Sequence, residues 1–253
     1  MKTPSVRRKP PPTPIGILAA LPDEAQSLRR LKPGCGRLVQ TSDGHPLIAS
    51  GAGPDPARRA ALRLVQQGVS GLMSWGCAGA LVAGLQPGQL VIPQTLLGAD
   101  GETFAPDSAW HERFAWAMDK KLGIHTDLLA ESADVVATAE AKQALRAATQ
   151  AVAVDMESVA VARVAREHGL PFLAVRAIAD HSALDMPKAV TFALNRRGEV
   201  RLLWLLAYAL AHPGQVPQLV ALGRAFESAL QALRTAKAHS GMNFCFPTQN
   251  PDF

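Results

Sequence analysis

Apolar residues in this chain fall mostly in short unbroken runs instead of alternating with polar ones. Six such runs are "IGILAAL" (Ile15–Leu21), "PLIASGAG" (Pro46–Gly53), "GLMSWGCAGAL" (Gly71–Leu81), "QLVIP" (Gln89–Pro93), Ala151–Val154 and Phe172–Ile178. Each is shorter than a typical helix and predicts a strand, and an unbroken apolar run is what a strand buried on both faces requires. Between them, apolar positions recur at helical spacing. This predicts helices over Asp23–Leu31, Pro56–Gln67, Asp107–Leu122, Ala139–Thr149, Met156–His168, Pro187–His212 and Val216–Ala236. Strands alternating with helices imply an α/β architecture, a largely parallel sheet covered by helices on both faces.

Length and composition add boundaries. The 253 residues, 48% hydrophobic and 19% charged, supply ample material for a core. They predict one domain over residues 15–240, a leader over 1–14 and a loose tail over 241–253. The leader, "MKTPSVRRKPPPTP", holds Lys2, Arg7, Arg8 and Lys9 and no acid. Beyond it the chain carries 22 basic against 21 acidic residues, so the net charge of +5 belongs to the leader and no nucleic-acid-binding face is expected. The leader has no apolar core of a signal peptide, and its prolines imply an extended segment. No run approaches the ~20 apolar residues of a membrane span. Three widely spaced cysteines (Cys35, Cys77, Cys245) fit neither a disulfide framework nor a metal site, and point to the cytoplasm. The seven histidines show no metal-binding spacing.

Ligands in open α/β sheets bind at the carboxyl ends of strands. That rule selects Leu21–Glu24, Gly51–Gly53, Gly76–Gly79, Asp155–Glu157 and Asp180. Asp155 immediately precedes a helix and reads as an N-cap. Glu157 falls on the apolar side of the same helix, in its first turn, where an acid either complements the helix dipole or faces a ligand. Asp180 ends an apolar run and reads as a loop acid or as a general acid. "GAGPDP" has two glycines of a dinucleotide fingerprint but Pro56 where the third belongs. Cys77 has no histidine partner within its stretch and reads as a small buried residue, not a nucleophile.

Three segments in order, "IGILAALPDEAQSL", "GCAGALVAGLQPGQLVIP" and "VAVDMESVAVARVAREHGLPFLAVRAIAD", resemble the nucleoside phosphorylase superfamily. Within it they are similar to the methylthioadenosine/S-adenosylhomocysteine nucleosidase branch. The likeness covers roughly residues 15–182, and the elements V-[DE]-M-E and R-A-I-[SA]-D carry it. "HPGQVPQLVALGRAFESALQAL" further resembles the hopanoid-associated phosphorylases of bacterial lipid biosynthesis. The resemblance implies a three-layer α/β/α fold with a mixed, largely parallel sheet, and cleavage of a purine N-glycosidic bond. It gives Asp180 the proton for purine N7, Glu157 the ribose hydroxyls, Met156 the face of the sugar and Glu24 the attacking water. It places Cys77, Gly79, Val135 and Val136 around the nucleophile and the base. It implies a homo-oligomer and no metal or redox cofactor.

Departures from the family pattern bear on the nucleophile. Phosphorylases of the superfamily place a phosphate-binding arginine where this chain has Ser74, and a Gly-Asp-Pro phosphate loop where it has "LPDEA". Both favour water, although the name of the hopanoid branch keeps phosphate as an alternative co-substrate. Arg58 and Arg59 read as a solvated helix face. The hopanoid branch implies adenosylhopane as substrate and an apolar channel on the ribose 5′ side, with Trp204, Leu205 and Tyr208 as candidate lining. A substrate drawn from a bilayer would fit peripheral contact of the basic leader with the inner membrane. The alternatives are a methylthioadenosine/S-adenosylhomocysteine nucleosidase and, outside catalysis, a nucleoside- or lipid-binding protein on the same fold.

Overall fold

The computed structural model describes residues 14–119, 123–186, 212–242 and 244–247. The expected leader, the helix over Pro187–His212 with Trp204, Leu205 and Tyr208, and the last residues of the tail lie outside them, apart from Pro14 and His212.

Two long parallel strands form the spine: β4 (Leu72–Ala80) and β11 (Phe172–Asp180) pair along most of their length. β1 (Gly16–Ala19) lies parallel to the first part of β4 and to β3 (Pro46–Ala49), and β2 (Leu38–Gln40) closes that edge antiparallel to β3. The far end of β4 pairs antiparallel with β10 (Ala153–Asp155), which leads through β9 (Leu129–Glu131) to β6 (Leu96–Leu97) and β7 (Thr103–Phe104). β5 (Leu90–Val91) joins β11 to β8 (Ile124–His125). The sheet is mixed and largely parallel, as the sequence implied.

Each face of the spine carries its own core. Met73 and Trp75 of β4, with Leu173 and Val175 of β11, pack toward α3 (Ser108–Asp119) and α6 (Val216–Ser240). Leu72 and Ala78, with Ala174 and Ile178, pack toward α2 (Pro54–Val65) and α5 (Ser158–Glu167). The two sets alternate along each strand, as the pleat demands. Each fully buried Leu, Ile or Val contributes about 1.5–3 kcal/mol by leaving water.

Three expectations are corrected. The first helix, α1, spans Pro22–Gln26 and stops short of Leu31. Ser27 Oγ turns back to Glu24 O at 2.6 Å while accepting the Trp75 indole N–H at 2.9 Å, which ends the helix there. The helix expected from Met156 begins at Ser158, because Glu157 has non-helical φ −126°, ψ −32°. The tail is not loose at its start: Phe244 is fully buried, edge-on to Trp75, and its carbonyl accepts the Trp110 indole N–H at 2.8 Å. Among the described residues no helix is long and apolar enough to cross a membrane.

Candidate active site

All the stretches chosen by the strand-end rule meet in one cavity of about 370 Å³. Leu21 and Glu24 come from the β1–α1 junction, Ala52 from the turn after β3, and Cys77, Ala78 and Gly79 from β4. Asp155, Met156 and Glu157 come from the β10–α5 junction, and Asp180 from the end of β11. Val135 and Val136 line the same cavity. One further wall comes from the first half of α6, where Leu219, Leu222, Gly223 and Phe226 share a helical face.

Glu24 is 3% exposed. Its Oε2 accepts the Leu21 N–H and its Oε1 the Cys77 N–H, both at 2.8 Å. Burial raises its pKa, and Arg176 and the two backbone donors pull against that rise. Glu157 Oε1 accepts the Gly53 N–H at 2.8 Å. Burial, and after it the charge of Asp155, lift the Glu157 carboxyl to about 7. Cys77 is partly exposed at the cavity wall, not buried as expected, and its thiol is pushed well up by desolvation and then by Glu24. That shift disfavours the thiolate form a nucleophile needs.

The N-cap of α5 is Glu157 and not, as expected, Asp155, which ends β10. Asp155 Oδ2 accepts Ser158 N–H at 3.1 Å and Ser158 O–H at 2.6 Å, and it also pairs with Arg176 Nε at 2.6 Å. Arg176, absent from the expected site, is wholly buried and does not line the cavity. Its Nη2 donates to Ser74 Oγ at 2.6 Å, so a cation does stand beside the serine that replaces the phosphorylase arginine. Burial works against the Arg176 charge, but Asp155, Glu157 and Glu24 outweigh it and keep its pKa above the ordinary value. The signal was present in "FLAVRAIAD": a charge inside an otherwise apolar central strand must find a buried partner.

Asp180 closes the opposite end. Its Oδ1 accepts the Ala80 N–H at 3.1 Å, and its Oδ2 accepts from Lys142 Nζ at 2.6 Å. Lys142, on α4 (Ala139–Thr149), is 1% exposed and was also missed. Nothing in a helix reading "AEAKQALRAAT" marks its lysine for burial. Arg58 and Arg59 are exposed as expected, Arg58 in a surface pair with Glu167 at 3.2 Å.

The Phosphorylase superfamily model matches residues 14–201. No curated protein sequence matches the chain. Solved structures agree in fold. One is the 5′-methylthioadenosine/S-adenosylhomocysteine nucleosidase of Neisseria meningitidis in complex with methylthio-immucillin-A. It is 18% identical, with 89% of this chain and 97% of that chain covered and a TM-score of 0.65. The futalosine hydrolase of Helicobacter pylori strain 26695 is 17% identical, with 89% and 97% covered and a TM-score of 0.63. The S-adenosylhomocysteine nucleosidase of Streptococcus pyogenes is 20% identical, with 94% and 98% covered and a TM-score of 0.63. At these identities the likeness concerns the fold. The family match over most of the chain, with the motif residues gathered in one cavity, establishes that the chain belongs to the phosphorylase superfamily.

Proposed function

We propose that the protein hydrolyses the N-glycosidic bond of a 5′-substituted adenosine, and that its substrate is adenosylhopane. The observation that carries the N-glycosidic reading is the convergence of the buried acids Glu24, Glu157 and Asp180 on one cavity. Cleavage of C1′–N9 develops positive charge on the sugar and negative charge on the purine. Asp180 gives its proton to N7, so the bonding pair leaves with a neutral base. Glu157 accepts from the ribose hydroxyls and, with Glu24, stabilises the cation. Met156 covers the sugar. Water then adds at C1′ and passes its proton to Glu24, whose raised pKa suits it to that task.

The surroundings favour water over phosphate. Arg176 is wholly buried and does not line the cavity. Its Nε and Nη2 are engaged by Asp155, Ser158 and Ser74, and its Nη1, which has no hydrogen-bond partner, is buried beside Gly76. A phosphate dianion at C1′ would instead meet the carboxylates of Glu24 and Glu157, which repel it.

The α6 wall supports an apolar 5′ group. Leu219, Leu222 and Phe226 line the cavity, and Val216, one turn before Leu219, is exposed. Val135 and Leu184 are exposed as well. These residues offer apolar surface for a lipid entering from a membrane. The second reading is a methylthioadenosine/S-adenosylhomocysteine nucleosidase, favoured by the activities named for the structural neighbours. Adenine release from adenosylhopane in detergent, beside methylthioadenosine, separates the two: faster turnover of the small thio-nucleoside would overturn the hopanoid assignment.

A further inference from the structure

Helix α4 buries one residue of its own, and that residue is Lys142. Its alanines and leucine offered cheaper burial. Placing an ammonium out of water costs several kcal/mol unless its partners are well placed. Here all three N–H donors are used: Asp180 Oδ2 at 2.6 Å, His181 O at 2.7 Å and Leu184 O at 3.2 Å. None remains for a substrate. The segment after β11 is stitched to the start of α4 by two further bonds, Ala139 N to Asp185 Oδ1 and Met186 N to Ala137 O, each 2.7 Å. With Ala80 N–H on Oδ1 and Lys142 on Oδ2, the Asp180 carboxyl is held at both oxygens.

We propose that Lys142 is a positioning residue for leaving-group departure: it fixes the Asp180 carboxyl and stabilises the carboxylate that forms as the proton passes to the base. This inference rests on the N-glycosidic reading above. In that step the proton leaves Asp180 for purine N7, and the C1′–N9 pair moves onto the base. Asp180 is left with a negative charge 2.6 Å from an ammonium. An oriented cation beside a developing anion in a dry site is among the stronger stabilising arrangements available to an enzyme. The effect is confined to reactions whose leaving group needs a proton.

The test is the Lys142→Met protein on two substrates that share one 5′ group, hopanyl or methylthio, whichever adenosine derivative wild type cleaves faster, and both if it cleaves neither. One carries adenine; the other carries 4-nitrophenoxide, which departs without protonation. The expected result is a kcat loss of about 30-fold or more on the adenine compound and under about 3-fold on the nitrophenyl riboside. Retained nitrophenyl turnover also reports a folded protein. Where Lys142→Met does not accumulate, Lys142→Gln drops the charge but keeps a donor and shows the same split. In an Asp180→Asn background, Lys142→Met costs the adenine substrate less than about 2-fold more, because Lys142 acts through Asp180. Equal losses on both substrates, or an undiminished loss in the Asp180→Asn background, would overturn the proposal. A wild-type protein that cleaves the nitrophenyl but not the adenine compound overturns it as well. If wild type cleaves neither, the N-glycosidic reading fails and the inference with it.

Discussion

Arg176 lies opposite Gly76 in the pairing of β11 on β4, and its guanidinium occupies the space a side chain at 76 would need. A Cβ on Gly76 would stand 2.5 Å from Arg176 Nη1 and 2.8 Å from the Glu24 carboxyl carbon. The glycine of "GCAG" is thus a clearance for two charged groups from different elements. Gly76→Ala must displace one of them. A displacement of about 1 Å in a positioned group is expected to lower kcat about 100-fold. Steady-state kinetics on Gly76→Ala, with a melting curve to confirm folding, checks this; activity within a few-fold of wild type would contradict it.

Arg176 also predicts a stability effect. It is the cationic partner of the buried Asp155. Removing it leaves that carboxylate uncompensated, a loss expected to cost about 3–5 kcal/mol. Denaturant unfolding of Arg176→Met should show a loss of that order. Replacing both members, as Asp155→Asn with Arg176→Met, should recover part of it.

Glu157 sets a pH dependence. Its carboxyl stands near 7 instead of 4.5 because burial and Asp155 disfavour the charge. The proposed role requires the ionised form, so kcat/KM should rise with pH through about 7. The stability sign is opposite. The folded state holds a proton that the unfolded chain has lost, so the contribution is present below about 4.5 and is lost as pH rises through about 7. Glu157→Gln should therefore be nearly inactive yet gain in melting temperature relative to wild type across that window. A gap between the two proteins that does not change with pH would contradict the assignment.

Much of this arrangement was legible in the chain. The long apolar runs mark the spine of β4 and β11, and the strand-end rule gathers Glu24, Cys77, Glu157 and Asp180. What escaped had physical reasons. β6, β7 and β8 are two residues each and carry too little pattern to register. Met156 and Glu157 looked helical by periodicity, but Glu157 is held by the Gly53 N–H, a contact from 104 residues away. Lys142 sits in a helix whose other residues stay at least partly exposed, so only the position of Asp180 explains its burial. Phe244 follows a glycine turn in a stretch with neither helical nor strand periodicity, yet it packs edge-on against Trp75.

The α6 wall predicts substrate discrimination. Leu222→Gln places a polar amide where the 5′ group is proposed to lie. KM for adenosylhopane should rise about tenfold or more, since one buried polar group in an apolar site costs over 1 kcal/mol. Methylthioadenosine, with one carbon beyond its sulfur, should change far less. Equal effects on both would remove α6 from the 5′ site.

The most direct measurement is adenine release from adenosylhopane in detergent micelles, with and without inorganic phosphate. The account predicts release at the same rate in both, yielding the free ribose product, and its loss in Asp180→Asn. No release from adenosylhopane, or release only when phosphate is present, would contradict it.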